Sequence, residues 1–340
     1  MVALIVASVP VLLAPGRSEA ALPATYVALG DSFSSGDGIS PAISGSGVCA
    51  RSYAAYPELV THEAHLAHLA FVACSGATIS EVAAQVSRSR PTLARSSLVT
   101  LSAGGNDLSF SGLVRACIGL IGSTSATPIR YLPGVSGPAQ CNAAITTAAT
   151  LLGARVDSST GLISADATAT AIPLRTPSPI ERRLTNLYRS TLRSMGSTTT
   201  SGDLVVVQYP TLLADVNGVA CRLTSTPIEL PVSSPINGLY PGFAAPFARQ
   251  LIALNELLVK ETSAVVLNLR LAESRHLSVV GASPFAPIDC SSGTSKDLYG
   301  IEVTPSTSGV VSASLHPTSA GQRRLAAAVL KQWLALRNAT

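Results

Sequence analysis

Three short stretches place chemistry-bearing residues directly after apolar runs. Gly30-Asp31-Ser32 follows residues 26–29, Cys74-Ser75-Gly76 follows residues 69–73, and Gly104-Gly105-Asn106-Asp107 follows residues 98–102. A serine hydroxyl attacks a carbonyl only when a base takes its proton and donors hold the oxyanion that forms. Ser32 is the candidate nucleophile, Gly76 offers an unobstructed N–H, and Asn106 offers a side-chain amide on a loop whose glycines tolerate unusual dihedrals. The base is expected to be histidine, whose ordinary pKa near 6.5 suits proton shuttling at neutral pH. Of the five histidines, His316 stands in Leu315-His316-Pro317 just ahead of an amphipathic run over 319–336, where a proline and a helix start fix it in a loop. Together these residues would carry out acyl transfer to water. Taken singly, the glycines and the asparagine read equally well as turn chemistry, and a loop histidine as a solvated one.

These residues need a scaffold that brings strand ends together. Short apolar runs at 26–29, 69–73, 98–102, 204–208 and 265–269 suit strands covered on both faces. Helical patterns occupy 54–69, 180–195, 246–260 and 319–336. The alternation predicts an α/β fold, a three-layer α/β/α sandwich around a mostly parallel sheet. In such sheets the ligand crevice lies beyond the carboxyl ends of the strands, where the three stretches fall. Residues 118–179, 224–242 and 281–296 read as long loops with some helix, placed to edge or cover the crevice.

Of 340 residues, 47% are hydrophobic and 12% charged, and no segment reaches the roughly 18 consecutive apolar residues of a spanning helix. Residues 2–15 are almost wholly apolar and lead into Ser18-Glu19-Ala20-Ala21, so 1–21 is expected to be a secretory signal, although no Lys or Arg precedes the apolar run. Residues 22–340 are then expected to form a single domain with long loop insertions. Cys49, Cys74, Cys117, Cys141, Cys221 and Cys290 form an even set with no C-x-x-C pair, which fits disulfides better than a zinc ribbon and leaves the connectivity open. The net charge of +4 is spread thinly, with no basic cluster for nucleic acid.

Several features read as bystanders. His62, His65 and His68 recur at steps of three, which drift around a helix and do not match a zincin pair. No G-x-G-x-x-G or Gly-Lys-Ser/Thr accompanies the glycines after Ser32, so no nucleotide cofactor and no metal are expected. Asp31 and Asp107 are expected to shape their loops by hydrogen bonding, and His276 to be structural.

The chain resembles the SGNH hydrolase (GDSL esterase/lipase) family. The resemblance rests on residues 26–32, 72–78, 102–107 and 316–321, which place Ser32, Gly76, Asn106 and His316 in the order of the four family motifs. It implies a flavodoxin-like SGNH fold, ester hydrolysis with Ser32 as nucleophile, His316 as base, and an oxyanion hole of Ser32, Gly76 and Asn106. The likeness is strongest to a secreted three-disulfide branch, which implies the pairs Cys49–Cys74, Cys117–Cys141 and Cys221–Cys290. Many members carry an aspartate three residues before the histidine; here that residue is Ala313. The resemblance therefore implies a Ser/His dyad with the Ala313 carbonyl on the imidazole Nδ1, in place of a carboxylate such as Asp289 or Asp297. A monomer acting on acyl esters is expected, with transient contact to lipid surfaces. Leu230, Leu239, Phe243 and Phe285 are candidate acyl-channel residues. Alternatives are a carbohydrate deacetylase and a secreted binding protein that has lost turnover.

Overall fold

The computed structural model describes residues 24–121, 138–157, 160, 163–165, 176–196, 202–214, 220–225, 239–272, 276–281, 285–300, 303–304, 309–310 and 314–338. The expected signal segment lies outside them.

Five strands form the central sheet: β1 (Thr25–Leu29), β2 (His68–Phe71), β3 (Ser96–Leu101), β7 (Asp203–Val207) and β10 (Leu277–Val280). Between and after them run α1 (Ser32–Ser35), α2 (Tyr56–Glu63), α3 (Ile79–Leu93), α4 (Phe110–Cys117), β4 (Ile118–Ile121), α5 (Pro138–Leu151), β5 (Ala154–Val156), β6 (Ile163–Ala165) and α6 (Pro179–Ser194). Then come β8 (Cys221–Arg222), β9 (Tyr240–Phe243), α7 (Ala245–Ala272), β11 (Val303–Thr304), β12 (Gly309–Val310) and α8 (Ser319–Arg337). The sheet order is β10-β7-β3-β1-β2 with every pairing parallel. Numbering the sheet strands along the chain gives 2-1-3-4-5, the flavodoxin-like order, whose direction reverses at the first strand. Ser32 begins the helix that leaves this strand, at the switch point.

Alternation along β1 divides the core. Val27 and Leu29 pack with α3, α6 and α7 on one face, while Tyr26 and Ala28 pack with Tyr56 of α2 and with Leu325, Val329 and Trp333 of α8 on the other. The expected three layers are therefore present. One expected strand is not: residues 265–269 lie inside the 28-residue α7, and β10 takes the edge position. The cause is spacing, because Leu251, Leu254, Leu258, Val265, Val266 and Leu269 continue one buried helical stripe with no breaker inside it. The helix expected over 54–69 is also shorter. It stops at Glu63, and His65 turns through φ 52° into β2.

Of the segments expected to be long loops, the described part of 118–179 holds α5 and the hairpin β5–β6. β4, β9 and β8 form a small antiparallel sheet. Cys49–Cys74, Cys117–Cys141 and Cys221–Cys290 are bonded, the pairing that the family resemblance implies.

Candidate active site

Ser32 is the first residue of α1, a helix capped by Asp31, whose side chain accepts from the Phe33 N–H at 3.1 Å. Gly30 precedes it with φ 129°, a conformation costly for any side chain; a Cβ there would meet the Ser102 hydroxyl at 2.6 Å. The Gln85 side chain clamps the Gly30 peptide from α3, donating to its carbonyl and accepting from its N–H, both at 2.9 Å. Ser32 thus sits on a tight turn held from behind.

His316 reaches it from the far end of the chain. Its Nε2 lies 2.7 Å from the Ser32 Oγ, and its Nδ1 lies 3.1 Å from the Ser314 carbonyl oxygen. A carbonyl can only accept, so the proton of the neutral ring is on Nδ1 and Nε2 is left to accept from the serine hydroxyl. Ala313 lies outside the described residues, and the acceptor present is Ser314. Leu315 explains the two-residue spacing: its φ of 63° turns the chain back, bringing the carbonyl of the residue before it against the imidazole that follows. This left-handed residue is held by hydrogen bonds in both directions between the 315–316 backbone and Tyr299. Asp297 does not touch the ring; its carboxylate accepts from Ala286 N–H and Arg324, and its carbonyl from Thr318 N–H. Asp289 caps its own turn at Ser291.

The Gly76 and Asn106 loops are joined to each other. Asn106 donates from Nδ2 to the Ala77 carbonyl at 3.0 Å, and Asp107 accepts from the Ile79 N–H at 2.8 Å at the start of α3. Burial pushes the Asp107 carboxyl up, against the Ile79 N–H and the Arg183 charge. Gly76 has φ 77° and open space where a Cβ would project. Ser32, Gly76, Asn106 and His316 all line one pocket of about 320 Å³. Its apolar wall comes from α4 with the loop before it (Leu108, Phe110, Val114), Leu212, α7 (Leu254, Leu258) and Leu315. The described acyl-channel candidates are not in that wall. Leu239 and Phe243 are buried in the fold, Phe285 packs against both cores, and Leu230 lies outside the described residues. The wall is instead built largely by residues with helical spacing that the sequence presents as ordinary core.

The chain matches the family described as GDSL-like Lipase/Acylhydrolase over residues 28–324. It belongs to that family. It is 38% identical over 118 residues to Lipase 1 of Streptomyces coelicolor, a match covering 34% of this chain and 43% of that protein. The curated relatives are thus matched over less than half of their length. Among solved structures, phospholipase A1 from Streptomyces albidoflavus superposes with a TM-score of 0.61 at 24% identity, covering 92% of this chain and all of that one. The extracellular lipase of Streptomyces rimosus gives 0.57 at 23%, covering 91% and 99%. These likenesses establish the shared fold.

Beyond the four motif positions, the GDSL-like site depends on residues that support them. Tyr209, just past β7, donates to Asp31 and accepts from the Gly105 N–H at 2.9 Å, bridging the Ser32 turn and the Asn106 loop. Ser102 donates to the same carboxylate at 2.7 Å. Tyr209 stood one residue after an expected strand end, which was the signal available. The three histidines at 62, 65 and 68 are exposed and lie on a helix, a turn and a strand start, so they share no face.

Proposed function

We propose that this protein is a secreted serine hydrolase of acyl esters, working through a Ser32/His316 dyad. The observation that carries the reading is the pair of contacts on one imidazole, Ser32 Oγ at 2.7 Å and the Ser314 carbonyl at 3.1 Å, at the wall of a largely apolar pocket.

His316 Nε2 takes the Ser32 proton as Oγ attacks the ester carbonyl. The Ser32 and Gly76 N–H groups and the Asn106 amide hold the oxyanion. The protonated imidazole then passes its proton to the leaving alkoxide, releasing the alcohol and an acyl-enzyme. Water, deprotonated by the same nitrogen, attacks that acyl group, and the acid leaves as Ser32 recovers its proton. No step requires a cofactor. The apolar wall favours an aliphatic acyl group over an acetyl group on a sugar. Secretion is supported by three disulfides, which persist in oxidising compartments, and by the extracellular lipase among the structural relatives. We take the chain to act as a monomer that meets lipid surfaces transiently.

The test is hydrolysis of p-nitrophenyl esters by the purified protein beside Ser32→Ala and His316→Ala. Each variant is expected to lose about three orders of magnitude or more in kcat. Equal rates in all three proteins would overturn the reading.

A further inference from the structure

We propose that Asp31 supplies, from the cap of the nucleophile helix, the negative charge that balances the His316 imidazolium, and that Tyr209 and Ser102 are positioning residues for that carboxylate. The proposal rests on the hydrolase reading above.

The imidazole touches only a neutral carbonyl at Nδ1, yet proton transfer from Ser32 makes it a cation inside an apolar pocket. A carboxylate on the ring stabilises that cation where a Ser/His/Asp triad exists. Here the charge must come from elsewhere. Among the described residues, the ionisable groups lining the pocket are Asp31, Asp37, Arg115, Tyr209 and His316. Asp37 accepts from the Ser75 hydroxyl at 2.7 Å, on the Gly76 side, and Arg115 is exposed on α4. Asp31 is 1% exposed and adjacent in the chain to the serine that His316 touches.

Its hydrogen bonding exceeds what a cap requires. One N–H, from Phe33, satisfies the capping role of a four-residue helix. Two hydroxyls, Ser102 and Tyr209, are added. The Tyr209 oxygen accepts from the Gly105 N–H, which leaves its proton to Asp31. The Tyr209 ring packs edge-on against Phe33 with centroids 5.0 Å apart, and the His316 ring lies 5.5 Å from the same phenyl. Among the described residues, the titratable groups coupled to Asp31 are Tyr56 of α2, Tyr188 of α6, Tyr209 after β7 and His316 before α8, of which His316 alone becomes a cation. Burial pushes the Asp31 carboxyl up, and the Tyr209, Ser102 and Phe33 donors and the His316 charge oppose it.

Asp31→Asn is nearly isosteric, keeps the oxygen that caps Phe33 N–H, and removes the charge. The measurement is kcat and KM for a p-nitrophenyl ester against pH. Losing the carboxylate is expected to move the acid limb of kcat/KM down by about half a pH unit or more. It also lowers kcat by at least about tenfold at unchanged KM. Tyr209→Phe keeps the charge and removes a donor, so Asp31 becomes easier to protonate; the ratio of variant to wild-type kcat then rises with pH. An acid limb that stays in place in Asp31→Asn, whatever the loss in kcat, makes Asp31 a helix cap alone and overturns the proposal. If that variant does not fold, a pH-independent ratio for Tyr209→Phe overturns it instead. Should the wild type hydrolyse no ester, the hydrolase reading fails. The NMR titration of the His316 ring in wild type and Asp31→Asn then decides this one: an unmoved midpoint overturns it, and a lowered midpoint upholds the coupling.

Discussion

The side-chain amide of Gln322, in the first turn of α8, donates to the carbonyl of Phe33, one residue past Ser32, at 3.2 Å. The same amide oxygen accepts from the Tyr56 N–H at 2.8 Å. Gln322 is fully buried, and it links the helix that follows His316 to the helix that carries Ser32. Gln322→Leu keeps the volume and leaves a buried N–H and a carbonyl without this partner. The expected loss is about 2 kcal/mol of unfolding free energy in urea, from unsatisfied buried polar groups. Because Gln322 ties the helix that follows His316 to the helix that begins at Ser32, kcat should also fall at constant KM.

The Asn106 amide gives one N–H to the Ala77 carbonyl. Its second N–H is the one assigned to the oxyanion. Asn106→Ala is expected to lower kcat by about 10²- to 10³-fold with little change in KM, because the interaction forms in the transition state. Gly76→Ala acts differently. Its Cβ would enter open space, so the penalty is the left-handed backbone at φ 77°, about 1–2 kcal/mol. Steady-state kinetics beside thermal unfolding separates the two: Asn106→Ala, which gives up one hydrogen bond worth about 1 kcal/mol, should show the larger loss of kcat, and Gly76→Ala the larger loss of unfolding temperature.

Asp31, Asp107 and Asp203 all have carboxyl pKa values raised by burial above 3.8. A raised value means that the folded state binds a proton more readily than the unfolded chain, so stability falls as pH rises through the folded pKa values and is regained as pH drops back through them. Glu81 and Asp289 are lowered by hydrogen bonds in their own turns, but they are nearly fully solvated and count for little. Unfolding temperature is therefore expected to rise as the pH is lowered from neutrality toward the ordinary carboxylate value of 3.8, as these raised carboxyls take up their protons. A monotonic fall over that range would contradict the assignment.

The site was legible to the extent that chemistry coincided with strand ends. Ser32, Gly76, Asn106 and His316 each follow an apolar run or precede an amphipathic one, and these positions converge on one pocket. Most of what supports them was not legible, because Tyr209, Gln85 and Gln322 act through contacts 55 to 289 residues apart in sequence. The ring acceptor depends on a backbone angle, the positive φ of Leu315, which a leucine gives no reason to expect. The apolar run 265–269 was misread as a strand because β-branched residues and burial look alike in either state; only continuity with the stripe from Leu251 distinguishes the helix.

Cys221–Cys290 closes 69 residues and Cys49–Cys74 closes 25. Loop-closure entropy then predicts about 4.4 and about 3.5 kcal/mol of stabilisation respectively. Double alanine variants of each pair should show this order in urea unfolding. The smaller loss should carry the larger loss of activity, because the Cys49 carbonyl accepts from the N–H of Ser75, the residue beside Gly76.

Acyl-chain length is expected to be set by a wall shared between two spaces. Phe110, Leu212, Asn255 and Leu315 line both the main pocket and a small apolar void of about 10 Å³, which is closed off by Leu213, Phe243, Leu251 and Ile252. Asn255 is held by a bond from its Nδ2 to the Pro210 carbonyl at 2.9 Å, and Leu315 carries the histidine turn, so neither can be truncated without disturbing the site. Leu212 has neither role. Leu212→Ala removes the partition and joins the void to the pocket, making room for about two more methylenes. At about 0.8 kcal/mol each, the preference for a longer over a shorter p-nitrophenyl ester should increase by about tenfold. The truncation costs about 2 kcal/mol of stability, near the low end for a buried leucine because one side already faces open space. A chain-length series of kcat/KM that keeps its optimum in Leu212→Ala would place the acyl group elsewhere in the pocket.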